Sequence, residues 1–129
     1  MKEPYFAAAA VEYQKRLKPY AKLIIRELPE DHAVLDILPR ALLIALCVEG
    51  ESCSSKALAA RLAAWQLGGC SSFCFVVGGS DGLPDAVKQK ANWRLSLSEM
   101  TFPHHLARVI LLEQLYRVFM INSGGKYHK

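Results

Sequence analysis

Four stretches of the chain carry residues that could do chemistry. The first is the turn Gly78-Gly79-Ser80-Asp81-Gly82, which follows the apolar run Phe73-Cys74-Phe75-Val76-Val77. Glycines permit tight turns and close approach of backbone to a ligand, and a helix that follows offers unpaired N–H groups. In open α/β sheets ligands sit beyond the carboxyl ends of strands, where this turn falls. It is neither G-x-G-x-x-G nor a P-loop, so a structural turn fits it as well as a cofactor loop. The second stretch is Ser96-Leu97-Ser98-Glu99-Met100-Thr101-Phe102-Pro103. Its hydroxyls and main chain could hold a ligand, or simply form a capped loop before a helix, with Thr101 as the cap.

The third stretch carries His104, His105, Arg108, Glu113 and Arg117. Glu113 and Arg117 stand at i, i+4 and can pair on one helical face. Such a pair is structural, or else it touches a substrate or a second subunit. The fourth is the tail Lys126-Tyr127-His128-Lys129, where an aromatic ring, an imidazole and two cations could stack on a base and meet phosphates. Chain ends are more often plain solvated tails. No Ser/His/Asp or Cys/His nucleophile arrangement is legible. Cysteines 47, 53, 70 and 74 fit no zinc spacing, and Cys47, Cys70 and Cys74 read as reduced, buried small hydrophobes. No metal is expected.

These groups need a scaffold. Phe6, Ala10, Tyr13 and Leu17 recur on one helical face over residues 4–17, and Pro19 stops that helix. Leu23-Ile24-Ile25 reads as a strand, while 30–40 shows no clear period. Leu42–Val48 is a continuous apolar run, the pattern of a strand buried on both faces in a parallel sheet. Ser54 or Ser55 caps a helix with Leu58, Leu62 and Trp65 on its apolar face, ended by Gly68-Gly69. Phe73–Val77 is the next strand, Pro84 opens a short helix, and Trp93–Ser98 is a last strand. A helix over 104–121 is apolar around most of its circumference and should be largely buried. The alternation predicts an α/β fold with a mainly parallel sheet.

Length and charge bound the rest. One hundred and twenty-nine residues suit a single domain, and 52% hydrophobic with 22% charged residues is an ordinary globular composition. The longest apolar run, Ala41–Val48, is far short of the ~20 residues a membrane helix needs. The start, Met1-Lys2-Glu3-Pro4, lacks the apolar core of a secretory signal, so a cytoplasmic location is expected. The formal net charge is +4. Residues 88–129 hold seven basic and two acidic side chains, so the excess lies there, together with three of the four histidines. A basic segment suits an anionic partner such as RNA, or is merely a solvated face.

Read in order, Phe75–Leu83, Leu95–His104, Arg108–Arg117 and Tyr127-His128-Lys129 resemble the ribosomal RNA large subunit methyltransferase H family, a small branch of the SPOUT methyltransferases. The likeness covers nearly the whole chain and is densest over 73–129. It implies that residues 1–129 form one minimal SPOUT domain with a C-terminal trefoil knot, an exception to the rule against knots. It implies a homodimer with a site completed across the interface, S-adenosyl-L-methionine as cofactor, and assembled ribosomes as substrate, methylated at N3 of a pseudouridine in 23S rRNA. Carried over by position, cofactor contacts fall on Leu46, Gly79 and Ser98, Glu99, Met100, Thr101, Phe102 and Pro103. Substrate contacts fall on Tyr127, His128, Arg117 and His104, with His128 as the general base. Family members begin with a further strand and Gly-containing turn, and carry a longer helix where this chain has about Ala33–Arg40, so an N-terminal strand is expected to be missing. The alternative is a non-catalytic RNA- or ribosome-binding module of the same fold. A flavodoxin-like nucleotide binder is disfavoured because the glycine turn lacks a phosphate fingerprint.

Overall fold

The computed structural model describes residues 4–20, 22–28, 42–78, 83 and 85–124. Helix α1 spans Pro4–Leu17. Proline suits a first helical turn, where its missing N–H costs nothing, and an alanine run follows it. The helix gives way to a turn closed by Tyr20 N–H on the Leu17 carbonyl at 2.9 Å. Strand β1 spans Lys22–Leu28 and β2 spans Leu42–Ser52, longer than its apolar run. Helix α2, Ser55–Leu67, is capped by Ser54, whose hydroxyl accepts from Ala57 N–H at 3.0 Å. Gly69, at φ +101°, takes the chain out of that helix. Strand β3 spans Ser72–Gly78, helix α3 Asp85–Lys90, strand β4 Trp93–Ser96 and helix α4 His104–Asn122.

The four strands form one sheet in the order β1-β3-β2-β4, and every neighbouring pair is parallel. Burial explains the pattern. Phe73–Val77 of β3 are all buried, as are Ile44, Ala45 and Leu46 of β2, because helices cover both faces. On one face α1, α2 and α4 close a core of Leu17, Ile44, Leu58, Leu62, Phe73, Phe75, Leu111, Leu112, Leu115 and Val118. On the other, short α3 brings Val87 and the preceding Leu83 onto Ala45, Cys74 and Val76. Helix α4 buries Leu111, Leu112, Leu115, Val118 and Phe119, while the rest of its circumference is half-buried. Ser55 Oγ donates to Gln114 Oε1 and Asn122 Nδ2 to the Ala59 carbonyl, so polar groups at two levels tie α4 to α2.

Several expectations need correction. The last strand stops at Ser96 rather than Ser98, because Ser96 Oγ donates to the Ser98 carbonyl and bends the chain out of the ladder (2.9 Å). Thr101 does not cap α4. The cap position is Pro103, whose carbonyl accepts from Ala107 N–H at 2.9 Å, with no side-chain cap. Of the three cysteines expected inside, only Cys74 is buried; Cys47 and Cys70 are half-buried and Cys53 is exposed. The turn 79–82, Pro84 and the 33–40 segment lie outside the described residues.

Strand β2 has an unusual path. Leu46 and Glu51 both oppose Leu95 of β4, so Cys47–Gly50 leave the ladder as an excursion and the strand then rejoins it. Gly50 makes the return possible: a Cβ there would lie 2.8–2.9 Å from the Arg94 and Leu95 backbone. Glu51 also accepts from Trp93 Nε1 at 3.3 Å and pairs with Arg61 at 3.4 Å. The Arg61 guanidinium lies 4.3 Å from the Trp93 ring centre and 5.3 Å from that of Trp65, a clasp over the rejoined strands. On the excursion itself Glu49 pairs with Lys88 of α3. Hydrogen bonding from Lys88 holds the Glu49 carboxyl below its ordinary value of 4.5, and the same bond raises the Lys88 ammonium. Burial, with Glu49 adding to it, pushes the neighbouring Cys47 thiol up.

Two outcomes follow. Gly50→Ala must displace β4 backbone, so chemical denaturation should show a loss of about 1–3 kcal/mol, the usual cost of overpacking. A depressed carboxyl contributes stability above its unfolded value that is lost as pH falls through the folded one. Thermal denaturation should therefore find Lys88→Met less stable than the parent at neutral pH. That difference should close as the pH is taken below the lowered Glu49 value.

Candidate functional site

The carboxyl edge of the sheet is where the expected cofactor residues gather. Leu46 opposes Val77 of β3 on one side and Leu95 of β4 on the other, so three strand ends stand at one level. Leu46 is 9% exposed and is the last residue of β2 before its excursion. Strand β3 ends one residue further at Gly78, and Gly79 lies outside the described residues. Strand β4 passes directly into the loop Leu97–Pro103.

That loop is built on serines. Ser98 is half-buried, and its hydroxyl accepts from Met100 N–H at 2.9 Å while its carbonyl receives Ser96 Oγ. A hydroxyl competing for nearby main-chain groups makes a tight non-repetitive turn, the chemistry that drives serine out of strands. Glu99, Thr101 and Pro103 are exposed and Phe102 is half-buried. Met100 is 72% exposed, much for a large apolar side chain. The loop ends at the amino terminus of a 19-residue helix that no side chain caps. Its first-turn N–H groups and the positive end of its dipole thus face the same edge. An apolar wall at Leu46, an exposed thioether and main chain outside the ladder suit a ligand with a flat apolar part and polar ends.

The expected substrate residues are placed differently. Arg117 is paired with Glu113 at 2.7 Å, with both side chains about one-fifth exposed, and Gln114 Nε2 donates to the same carboxylate at 2.9 Å. At 1.5 Å of rise per residue Arg117 sits about 20 Å along α4 from Pro103, so the structure does not bring it to the strand ends of its own chain. His104 opens α4 beside the loop, and its side chain lies outside the described residues, as do Tyr127 and His128. Among the described residues no group of three or more His, Cys, Asp or Glu could hold a metal, and no helix is long and apolar enough to cross a membrane.

Two features escaped the sequence. The Glu51–Arg61–Trp93 clasp joins residues up to 42 apart, and only the shared strand register brings them together. The aromatic seam between α1 and α4 is the second. Phe6 stacks on His105, Tyr13 meets Tyr116, and Tyr20 stacks on Phe119, so the two helices run in the same direction with their first turns adjacent. Arg16 lies over both Tyr13 and Tyr116.

Comparison with known proteins places the chain in a family. A family model described as "Predicted SPOUT methyltransferase" matches residues 1–128. A protein of Methanoregula boonei named "Putative ribosomal RNA large subunit methyltransferase H" is 45% identical, covering all of this chain and 94% of its own length. That alignment runs over 149 positions against the 129 residues here, so at least 20 have no counterpart in this chain. A solved structure titled "The structure of a probable methylase family protein from Haemophilus influenzae Rd KW20" superposes with a TM-score of 0.66 at 11% identity, over 96% of this chain and 64% of its own. At that identity it speaks for the fold alone. With a parallel α/β sheet, a family match over almost every residue and a 45%-identical relative, the chain belongs to the SPOUT methyltransferases, in the ribosomal RNA large subunit methyltransferase H family.

Proposed function

We propose that this chain is an S-adenosyl-L-methionine-dependent methyltransferase acting on N3 of a pseudouridine in large-subunit ribosomal RNA. The observation that carries the reading is the 45% identity, along the whole chain, to a protein named "Putative ribosomal RNA large subunit methyltransferase H". The carboxyl edge supports it, since Leu46 and the Ser98–Pro103 loop meet where a parallel sheet accepts ligands. In this proposal Leu46, Gly79, Ser98, Glu99, Met100, Thr101, Phe102 and Pro103 hold the cofactor.

The bound cofactor supplies a methyl group on a sulfonium, an electrophile that needs no further activation. The work left to the protein is alignment and proton removal. His128 would take the proton from N3, so that the nitrogen could accept the methyl group while the methyl–sulfur bond breaks and the sulfonium leaves as a neutral thioether, a role suited to an imidazole near neutral pH. Tyr127 stacks on the target base, and His104 and Arg117 contact the RNA. Because Arg117 lies about 20 Å along α4 from the loop, its contact belongs to a site shared between two protomers. The homodimer, the C-terminal trefoil knot, a single domain over 1–129 and a cytoplasmic location are parts of the same proposal.

One observation favours a second reading. The 20 or more alignment positions without counterpart fit a shortened, non-catalytic RNA-binding module of the same fold. Calorimetric titration with S-adenosyl-L-methionine separates the two: saturable binding is expected, and no heat at high cofactor concentration overturns the enzyme. Transfer of labelled methyl to intact ribosomes, with mass mapping of the product, then tests the position. His128→Ala should slow transfer by about a hundredfold or more, the range for loss of a general base. Undiminished methylation removes His128 from the mechanism.

A further inference from the structure

We infer that Tyr5, Phe6 and His105, at the junction of α1 and α4, form a platform that stacks an unpaired RNA base beside the candidate site. The inference rests on the ribosomal RNA reading above and extends it to residues outside the expected site. Tyr5 and Phe6 have ring centres 4.6 Å apart at 60°, and Phe6 lies 6.4 Å from His105 with nearly parallel planes. The roles divide by burial. Phe6 and His105 are half-buried and packed together, whereas Tyr5 is 66% exposed. Phe6 therefore props Tyr5 while much of the Tyr5 ring meets solvent.

Position makes the cluster relevant. His105 is two residues beyond Pro103, so the platform stands at the same edge as the Leu97–Pro103 loop. One turn further, Arg108 falls on the side of α4 that carries His105. An exposed ring propped by another, next to an imidazole, is the composition that stacks an unpaired base. Val11 is also exposed on α1, at 63%, so contact with a second copy of this chain is the competing use of the face.

The test compares the full chain with Tyr5→Ala and Tyr5→Phe, using an RNA stem-loop and a fully paired duplex of equal length. Tyr5→Ala should weaken stem-loop binding about tenfold, as loss of one stacked base does, with duplex binding unchanged. Because no charge is removed, the salt dependence should keep its slope. Tyr5→Phe keeps the ring and should bind like the parent. Cofactor affinity by calorimetry and sedimentation should not change in either variant. Equal stem-loop affinity in Tyr5→Ala and parent overturns the platform, as does a parent that binds no stem-loop. A loss accompanied by altered sedimentation assigns the face to a second copy instead. Failure of cofactor binding or methyl transfer, with the stem-loop result intact, overturns the enzyme reading and leaves the platform standing.

Discussion

Strand β2 is paired on both sides, and the arrangement of the site follows from that constraint. With β3 at one flank and β4 at the other, Leu46 is fixed between Val77 and Leu95 by main-chain hydrogen bonds rather than by side-chain fit. Parallel pairing sends all strand ends to one edge, so the end of β3 at Gly78 and the loop after Ser96 stand together. Asn92 fastens the other end of the β2–β4 pair: its N–H donates to the Leu43 carbonyl at 2.7 Å and its side-chain oxygen accepts from Leu43 N–H at 2.8 Å. The edge is therefore set by the register, and the helices that cover the sheet hold the register in place.

The elements were legible because each is announced locally. Leu42–Val48 and Phe73–Val77 are apolar runs of strand length, Ser54 is a hydroxyl before a periodic segment, and Gly68-Gly69 ends it. The errors fall where a local signal had a rival. Ser96 to Ser98 read as the end of the last strand, but the Ser96 hydroxyl closes on the Ser98 carbonyl and turns the chain. Thr101 is a good cap by type, yet Pro103 two residues on takes the cap position. Cys47 belongs to an apolar run and still lies half-exposed, because its strand leaves the ladder just there. Nothing in a linear pattern announces an excursion that ends by rejoining the same partner.

The candidate site was legible in a different sense. Its glycine turn and serine loop were each ambiguous as isolated stretches, and only their order along the chain pointed to one family. What the fold adds is relation: Leu46 sits level with the ends of β3 and β4, while Arg117 is far down α4 and occupied with Glu113. The α1–α4 seam could not be read at all, since the period of each helix shows an apolar face without showing which face it meets. Its same-direction packing is what carries Tyr5 to the edge of the sheet.

The excursion at Cys47–Gly50 has a consequence for how this fold can vary. Leu46 and Glu51 share one partner residue, so the chain between them adds length without advancing along the sheet. Such slack absorbs insertions ahead of Gly50, whose missing side chain must stay where the strand rejoins β4. The loop after β4 has no such reserve: Leu97–Pro103 must bridge a fixed strand end and a fixed helix start. Length polymorphism should thus be tolerated on one side of Leu95 and excluded on the other, although the two segments are neighbours in space.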